Sequence, residues 1–343
     1  MQFSNILVRA TNWVGDAVLC IPALQQLRVR FPHAHISILA KPWVAAIYGR
    51  EAFCDEVIPY EPQTLWQKHS AAQALRSGKY DCALLLQNAF EAAAVSWLAR
   101  IPVRIGYNRD ARGWLLTNAV SVPVKGDIPK HQRFYYLELL KRAGLIDGYD
   151  SDAPIQLAGA SAAAKAGRQR LQDLVPAESV IGVSPGAAFG SAKRWLPERF
   201  AEAAIEVATD CGCAVAVMGS HAERNICEHV RTRVSDAGVK SINLAGQTTL
   251  DSFIEIVAAC RLMLTNDSGA MHIAYALGVP TVTVFGATDD EATGPTGPKA
   301  RVVREPVECS PCLLRECPID HRCMTRVSVS RVVLTALEVI HGR

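Results

Sequence analysis

The sequence predicts two Rossmann-like α/β domains in tandem, and three observations carry that prediction. The chain has 343 residues, more than one ordinary core supports and suited to two domains of about 170 residues each. Its composition is 50% hydrophobic and 20% charged, which supplies large cores and excludes wholesale disorder. Short apolar runs alternate with helix-length stretches, and the alternation starts afresh halfway along. That is the signature of βαβ units and parallel sheets.

In the first half, strands are expected at 6–8, 35–40, 57–59, 82–86 and 104–107, with helices at 16–30, 42–48, 64–76 and 89–99. Pro22 either sits near the first turn of the 16–30 helix or kinks it. Residues 82–86 are unbroken Cys-Ala-Leu-Leu-Leu, as a strand buried on both faces requires. A polar stretch with Pro and Gly follows at 121–130, then helices at 131–143 and 160–171. The pattern restarts with strands at 180–184, 214–218, 241–244, 262–265 and 281–285, separated by helices at 197–209, 222–234, 250–259 and 269–277. The join is placed near 172–179, giving domains 1–171 and 172–343 with a cleft between them. In such sheets ligands sit beyond the carboxyl ends of the strands, so the strand-to-helix loops are the places to seek chemistry.

Lys and Arg number 36 against 33 Asp and Glu, a formal charge of +3. This gives no global reason to expect nucleic acid or strong membrane attraction. No apolar run approaches the roughly 18 residues of a membrane span. Met1-Gln2-Phe3-Ser4 leads directly into the first strand, without the regions of a signal peptide. A reducing, cytoplasmic setting is therefore expected, with Cys20, Cys82, Cys213 and Cys260 acting as small unpaired hydrophobes.

Three loops stand out. After the first strand comes Asn12-Trp13-Val14-Gly15-Asp16, which lacks the G-x-G-x-x-G of dinucleotide sites. Asp16 reads either as a helix N-cap or as a general base aimed into the cleft. After the first strand of the second domain, residues 184–197 contain Gly186, Gly190, Ser191, Lys193 and Arg194. Small residues, a hydroxyl and two cations ahead of a helix resemble a phosphate loop in composition, though not a Walker A sequence. The third loop, Thr265-Asn266-Asp267-Ser268-Gly269-Ala270-Met271-His272, opens a helix whose first amides form a cradle for a diphosphate. Asp267 suits an N-cap or a sugar hydroxyl, since a carboxylate repels phosphate. His272 lies one turn beyond Ser268.

Near the C-terminus Cys309, Cys312, Cys317 and Cys323 form C-x2-C-x4-C-x5-C, with His321 inside the segment. The spacing is tighter than paired zinc knuckles and is not the usual ferredoxin run. A structural metal, an iron–sulfur cluster, disulfides and free thiols all stand as readings. Lying after the last clear strand, the segment is not expected to be central to the chemistry of the loops.

These motifs together resemble glycosyltransferase family 9, the ADP-heptose:lipopolysaccharide heptosyltransferases. The matching pieces run in order from Asn12-Trp13-Val14-Gly15-Asp16 through Ser184-Pro185-Gly186-Ala187, Lys193-Arg194-Trp195-Leu196-Pro197, Asn243-Leu244-Ala245-Gly246 and Thr265 to His272. The cysteine segment, Trp13, and Ala188-Phe189-Gly190 in place of threonines favour the family's type II members. The resemblance implies a GT-B fold, an acceptor-binding first domain and an ADP-heptose-binding second domain. It also implies an inverting transfer to heptosyl-Kdo2-lipid A that needs no metal for catalysis. Asp16 then matches the general base and Lys193 the residue that stabilises the donor diphosphate, with Ser191 beside it. Asp267, Ser268, Gly269 and His272 match the donor motif, with Glu223 at the ribose and Leu244 at the adenine. Asn12, Trp13, Arg109 and Arg112 are expected on the acceptor side. The lipid-linked acceptor implies transient contact with the cytoplasmic face of the inner membrane; oligomeric state is left open. The alternatives are a type I enzyme acting on Kdo2-lipid A, a sugar-nucleotide hydrolase or epimerase, and a non-enzymatic metal-binding protein.

Overall fold

The computed structural model describes residues 2–342, which fall into two compact units, one ending at Ala158 and the other beginning at Gly159. In the first unit β1 (Asn5–Arg9), β2 (His35–Ala40), β3 (Glu56–Pro59), β4 (Cys82–Leu85), β5 (Val103–Tyr107) and β6 (Asn118–Val120) form a parallel sheet in the order β3-β2-β1-β4-β5-β6. In the second, β7 (Val180–Ser184), β8 (Ala214–Val217), β9 (Ser241–Asn243), β10 (Leu262–Asn266), β11 (Thr281–Val284) and β12 (Ala300–Val303) form a parallel sheet in the order β12-β11-β10-β7-β8-β9. Counted from its own first strand, each unit has the same order. The strand order therefore reverses beside β1 and β4 in one unit and beside β7 and β10 in the other. Those reversals are the ligand-binding positions of doubly wound sheets.

The central strands are largely apolar because helices cover both faces. Every residue of β4, β7, β8 and β10 is buried. The two strands not foreseen, β6 and β12, are sheet edges, short and only partly covered, so they carry no continuous apolar run. A helix at Val329–His341 was also unforeseen; it buries Val332, Val333, Ala336 and Val339 at helical spacing. The single helix expected at 16–30 is two, Val14–Leu19 and Ile21–Arg30, parted at Cys20. Pro22 lies in the first turn of the second, where its missing N–H costs no helical hydrogen bond. No helix among the described residues is long and apolar enough to cross a membrane.

The units divide ahead of the boundary expected at 171/172 because of one close contact. Helix Ala160–Leu174 packs against helix Leu250–Ala259, and a Cβ added to Gly167 would lie 1.8 Å from the Glu255 carbonyl oxygen. Arg170 and Glu255 pair across the same contact at 2.5 Å. Gly167→Ala is therefore expected to lower stability by about 1–3 kcal/mol through overpacking. A urea midpoint equal to that of the unsubstituted chain would show that the helices separate without cost.

Candidate functional site

In the second unit, topology alone brings the loops after β7 and β10 together, since these strands are neighbours at the order reversal. Asn266, the buried last residue of β10, completes the junction. Its side-chain oxygen accepts from the Trp195 backbone N–H at 2.9 Å, and its amide donates to the Pro185 carbonyl at 2.8 Å. One side chain thus fixes both ends of the glycine-containing loop. The wholly buried Trp195 anchors the exit further by donating to the Val327 carbonyl at 3.2 Å.

At this junction Lys193 Nζ lies 2.6 Å from Asp267 Oδ2, and the Thr288 hydroxyl donates to the same oxygen at 2.6 Å. Asp267 is only 4% exposed, and these two donors meet the carboxyl oxygen that burial takes from water. Asp267 is not the N-cap of the following helix. That position belongs to Ser268, which is extended and makes no side-chain capping bond; its hydroxyl lies 3.2 Å from that of Thr265. The first amides of helix Gly269–Ala276 are thus left without a side-chain cap beside a lysine, an arrangement suited to an anion.

The other residues expected at the donor divide between the loop surface and the core. Ser191 is exposed, whereas His272 is buried with Nδ1 3.2 Å from the Tyr275 hydroxyl. Glu223 Oε2 accepts from the Ser220 N–H and hydroxyl, both at 2.8 Å. A Cβ added to Gly186 would stand 2.1 Å from Glu223 Oε1, so the glycine lets that carboxylate approach the loop after β7. Leu244, expected to pack on an adenine, is 2% exposed. Its side chain is enclosed by the unit itself.

In the first unit, Asp16 stands in the first turn of helix Val14–Leu19, while the N-cap is the extended Trp13. The capping reading of Asp16 is thereby replaced. Burial first, then neighbours that include the Asp16 charge, holds the Tyr48 and Tyr136 phenols protonated and pushes the Cys20 thiol up to about 12. These three groups are therefore neutral near pH 7. Asn12 is gripped twice: Arg9 donates to its side-chain oxygen at 3.1 Å and the Trp43 indole to its carbonyl at 2.8 Å. Trp13 and Trp43 are exposed, and Lys41 Nζ lies 5.3 Å from the Trp43 ring centroid. Arg109 is exposed and lies 3.5 Å from Asp110.

Arg112 does not fit its expected place on the acceptor side. It is completely buried and donates to the carbonyls of Tyr107 and Gln87 and to the side chain of Asn88. Burial lowers its pKa to about 10, and its donors brace the turn after β5 instead of facing a ligand.

Of the readings left open for the cysteine segment, free thiols are what the structure has; its place needs correction. Cys309, Cys312, Cys317 and Cys323 are free thiols. Burial, then the charges of the other three, pushes Cys323 up to about 11, so the four are neighbours. They still do not gather as ligands. Among the described residues the group whose ligand atoms lie within 4.8 Å of one another is Asp210, Cys211 and His341, on helix ends elsewhere in the unit. Nor is the segment remote from the junction. The Ala192 N–H donates to the Arg315 carbonyl at 3.0 Å, and His321 Nε2 meets the Ala192 carbonyl at 3.0 Å. Leu313 N–H donates to the Ala287 carbonyl at 2.8 Å. The segment thus stitches the Lys193 loop to the loop that carries Thr288.

A sequence model of glycosyltransferase family 9 (heptosyltransferase) matches residues 68–322. The chain is 32% identical over 314 residues to the lipooligosaccharide heptosyltransferase 2 of Haemophilus ducreyi, with 88% of each chain covered. It is 32% identical over 308 residues to the lipopolysaccharide heptosyltransferase 2 of Escherichia coli K12, again with 88% of each covered. The solved structure of E. coli ADP-heptose LPS heptosyltransferase II superposes with a TM-score of 0.83 at 27% identity, covering 100% of this chain and 99% of that one. The chain belongs to glycosyltransferase family 9, the heptosyltransferases, and has the two Rossmann-like domains of the GT-B fold.

Proposed function

We propose that this chain transfers L-glycero-D-manno-heptose from ADP-heptose to the first heptose of heptosyl-Kdo2-lipid A, with inversion at the anomeric carbon. The observation that carries the reading is the Lys193–Asp267 pair in the loops beyond the carboxyl ends of β7 and β10, in a chain whose relatives are named heptosyltransferase 2. An ammonium has three donors, and Asp267 takes one. The others are available to diphosphate oxygens, alongside the first amides of helix Gly269–Ala276. The second unit is then the donor domain, with Ser191, Ser268 and Gly269 at the diphosphate, Glu223 toward the ribose, and His272 and Leu244 supporting the pocket from within.

On this reading the Asp16 carboxylate takes the proton from an acceptor heptose hydroxyl as that oxygen attacks the anomeric carbon. The bond to the diphosphate breaks, and ADP leaves with the electron pair. Lys193 and the helix amides offset the charge that develops on the leaving group, the role a divalent metal fills elsewhere. Asn12, Trp13 and Arg109 flank the acceptor in the first unit. The lipid of the acceptor places the reaction at the cytoplasmic face of the inner membrane.

Release of ADP from ADP-heptose, followed with excess chelator present, tests the reaction class. Release that requires heptosyl-Kdo2-lipid A is expected. Release at the same rate without acceptor would make the protein a hydrolase, and conversion of the sugar without ADP release would make it an epimerase.

A further inference from the structure

We infer that Arg315, carried on the cysteine segment, is a second cation of the donor diphosphate site. The inference rests on the donor-site reading above and extends it to a residue outside the loops after β7 and β10.

Lys193 lies against Asp267 at 2.6 Å, with side-chain exposures of 15% and 4%. The pair is neutral in sum, whereas a diphosphate carries more than one negative charge. Binding it in a partly desolvated site calls for a further positive group close by.

Arg315 meets that requirement. Its guanidinium carbon lies 5.3 Å from the Phe189 ring centroid, the same ring that Lys193 Nζ approaches at 4.9 Å. One aromatic side chain therefore gathers two cations beside the loop after β7. Among the described residues Arg315 has no ion pair or side-chain hydrogen bond, and it is exposed. Its charge is therefore not offset as that of Lys193 is.

The backbone beneath Arg315 is fixed to the same loop. Its carbonyl accepts the Ala192 N–H at 3.0 Å, and a Cβ on Gly190 would lie 2.1 Å from that carbonyl oxygen. Gly190 is the residue that lets the two backbones meet. A side chain rooted one hydrogen bond from the Lys193 loop, with its planar fork unengaged, is placed to grip phosphate oxygens in a bidentate manner.

The test is titration of ADP and of adenosine into the full chain and its R315Q and R315K variants, with thermal melting of each. For R315Q the expected result is ADP binding weakened about tenfold, the strength of a charge-assisted hydrogen bond. A shallower salt dependence, a higher KM for ADP-heptose, and unchanged adenosine binding and Tm should accompany it. R315K should fall between R315Q and the unsubstituted chain, since it keeps the charge and loses the fork. Equal ADP affinity in R315Q, while the unsubstituted chain binds ADP, overturns the Arg315 assignment alone. Parallel losses of adenosine affinity and Tm overturn it in favour of a structural role. Failure of the unsubstituted chain to bind ADP overturns the donor-site reading beneath it.

Discussion

Asp16→Asn is expected to lower kcat for heptose transfer by about 10²–10⁴-fold, the usual contribution of a general base, while leaving ADP affinity unchanged. The substitution keeps size and shape and removes the proton acceptor. Its surroundings argue for a chemical role over a capping one. Trp13, not Asp16, occupies the N-cap position, so the helix does not depend on the carboxylate for its cap. The neighbouring Tyr48, Tyr136 and Cys20 are all held in their protonated forms, which leaves none of them to act as base near pH 7. A folded Asp16→Asn protein with undiminished turnover would remove Asp16 from the mechanism.

Lys193→Ala should cost both activity and stability, and the two losses should separate. Removing the ammonium withdraws an electrostatic contact from the leaving diphosphate, worth about 10²–10³-fold in rate. It also leaves Asp267 buried with Thr288 as its remaining partner among the contacts at the junction. Breaking a buried pair on one side costs about 3–5 kcal/mol. Adding Asp267→Asn to Lys193→Ala removes the stranded charge. The double variant should therefore regain much of the lost denaturation midpoint while transfer stays low. If stability and rate recover together, Lys193 acts by holding the loop and not by meeting the donor.

The parallel sheets were legible because their central strands are largely buried. The predicted strands 35–40 and 180–184 coincide with β2 and β7, since short, mainly apolar runs between polar loops leave little choice. Edge strands β6 and β12 lack that signal. Lys193 and Asp267 were both legible as residues ending strand-to-helix loops. Their pairing was not, because it joins positions far apart in sequence and follows from strand order. Asn266 was missed as the residue that organises both loops. A polar residue closing an otherwise apolar strand was the signal available. Arg112 shows the opposite failure: its composition suggested a ligand contact, yet the turn after β5 consumes its donors. The cysteine segment appeared peripheral because two of its contacts, Ala192 N–H to the Arg315 carbonyl and Leu313 N–H to the Ala287 carbonyl, are backbone hydrogen bonds, which side-chain chemistry does not announce. The domain boundary moved for a similar reason, since Gly167 marks a helix–helix contact only once Glu255 is placed beside it.

The most direct test of the account is transfer from ADP-L-glycero-D-manno-heptose with Kdo2-lipid A and heptosyl-Kdo2-lipid A run side by side, the product read by mass. Addition of one heptose to the heptosylated acceptor, and not to the bare one, is the predicted result. Addition to bare Kdo2-lipid A, or no product from either acceptor despite bound ADP-heptose, would contradict it.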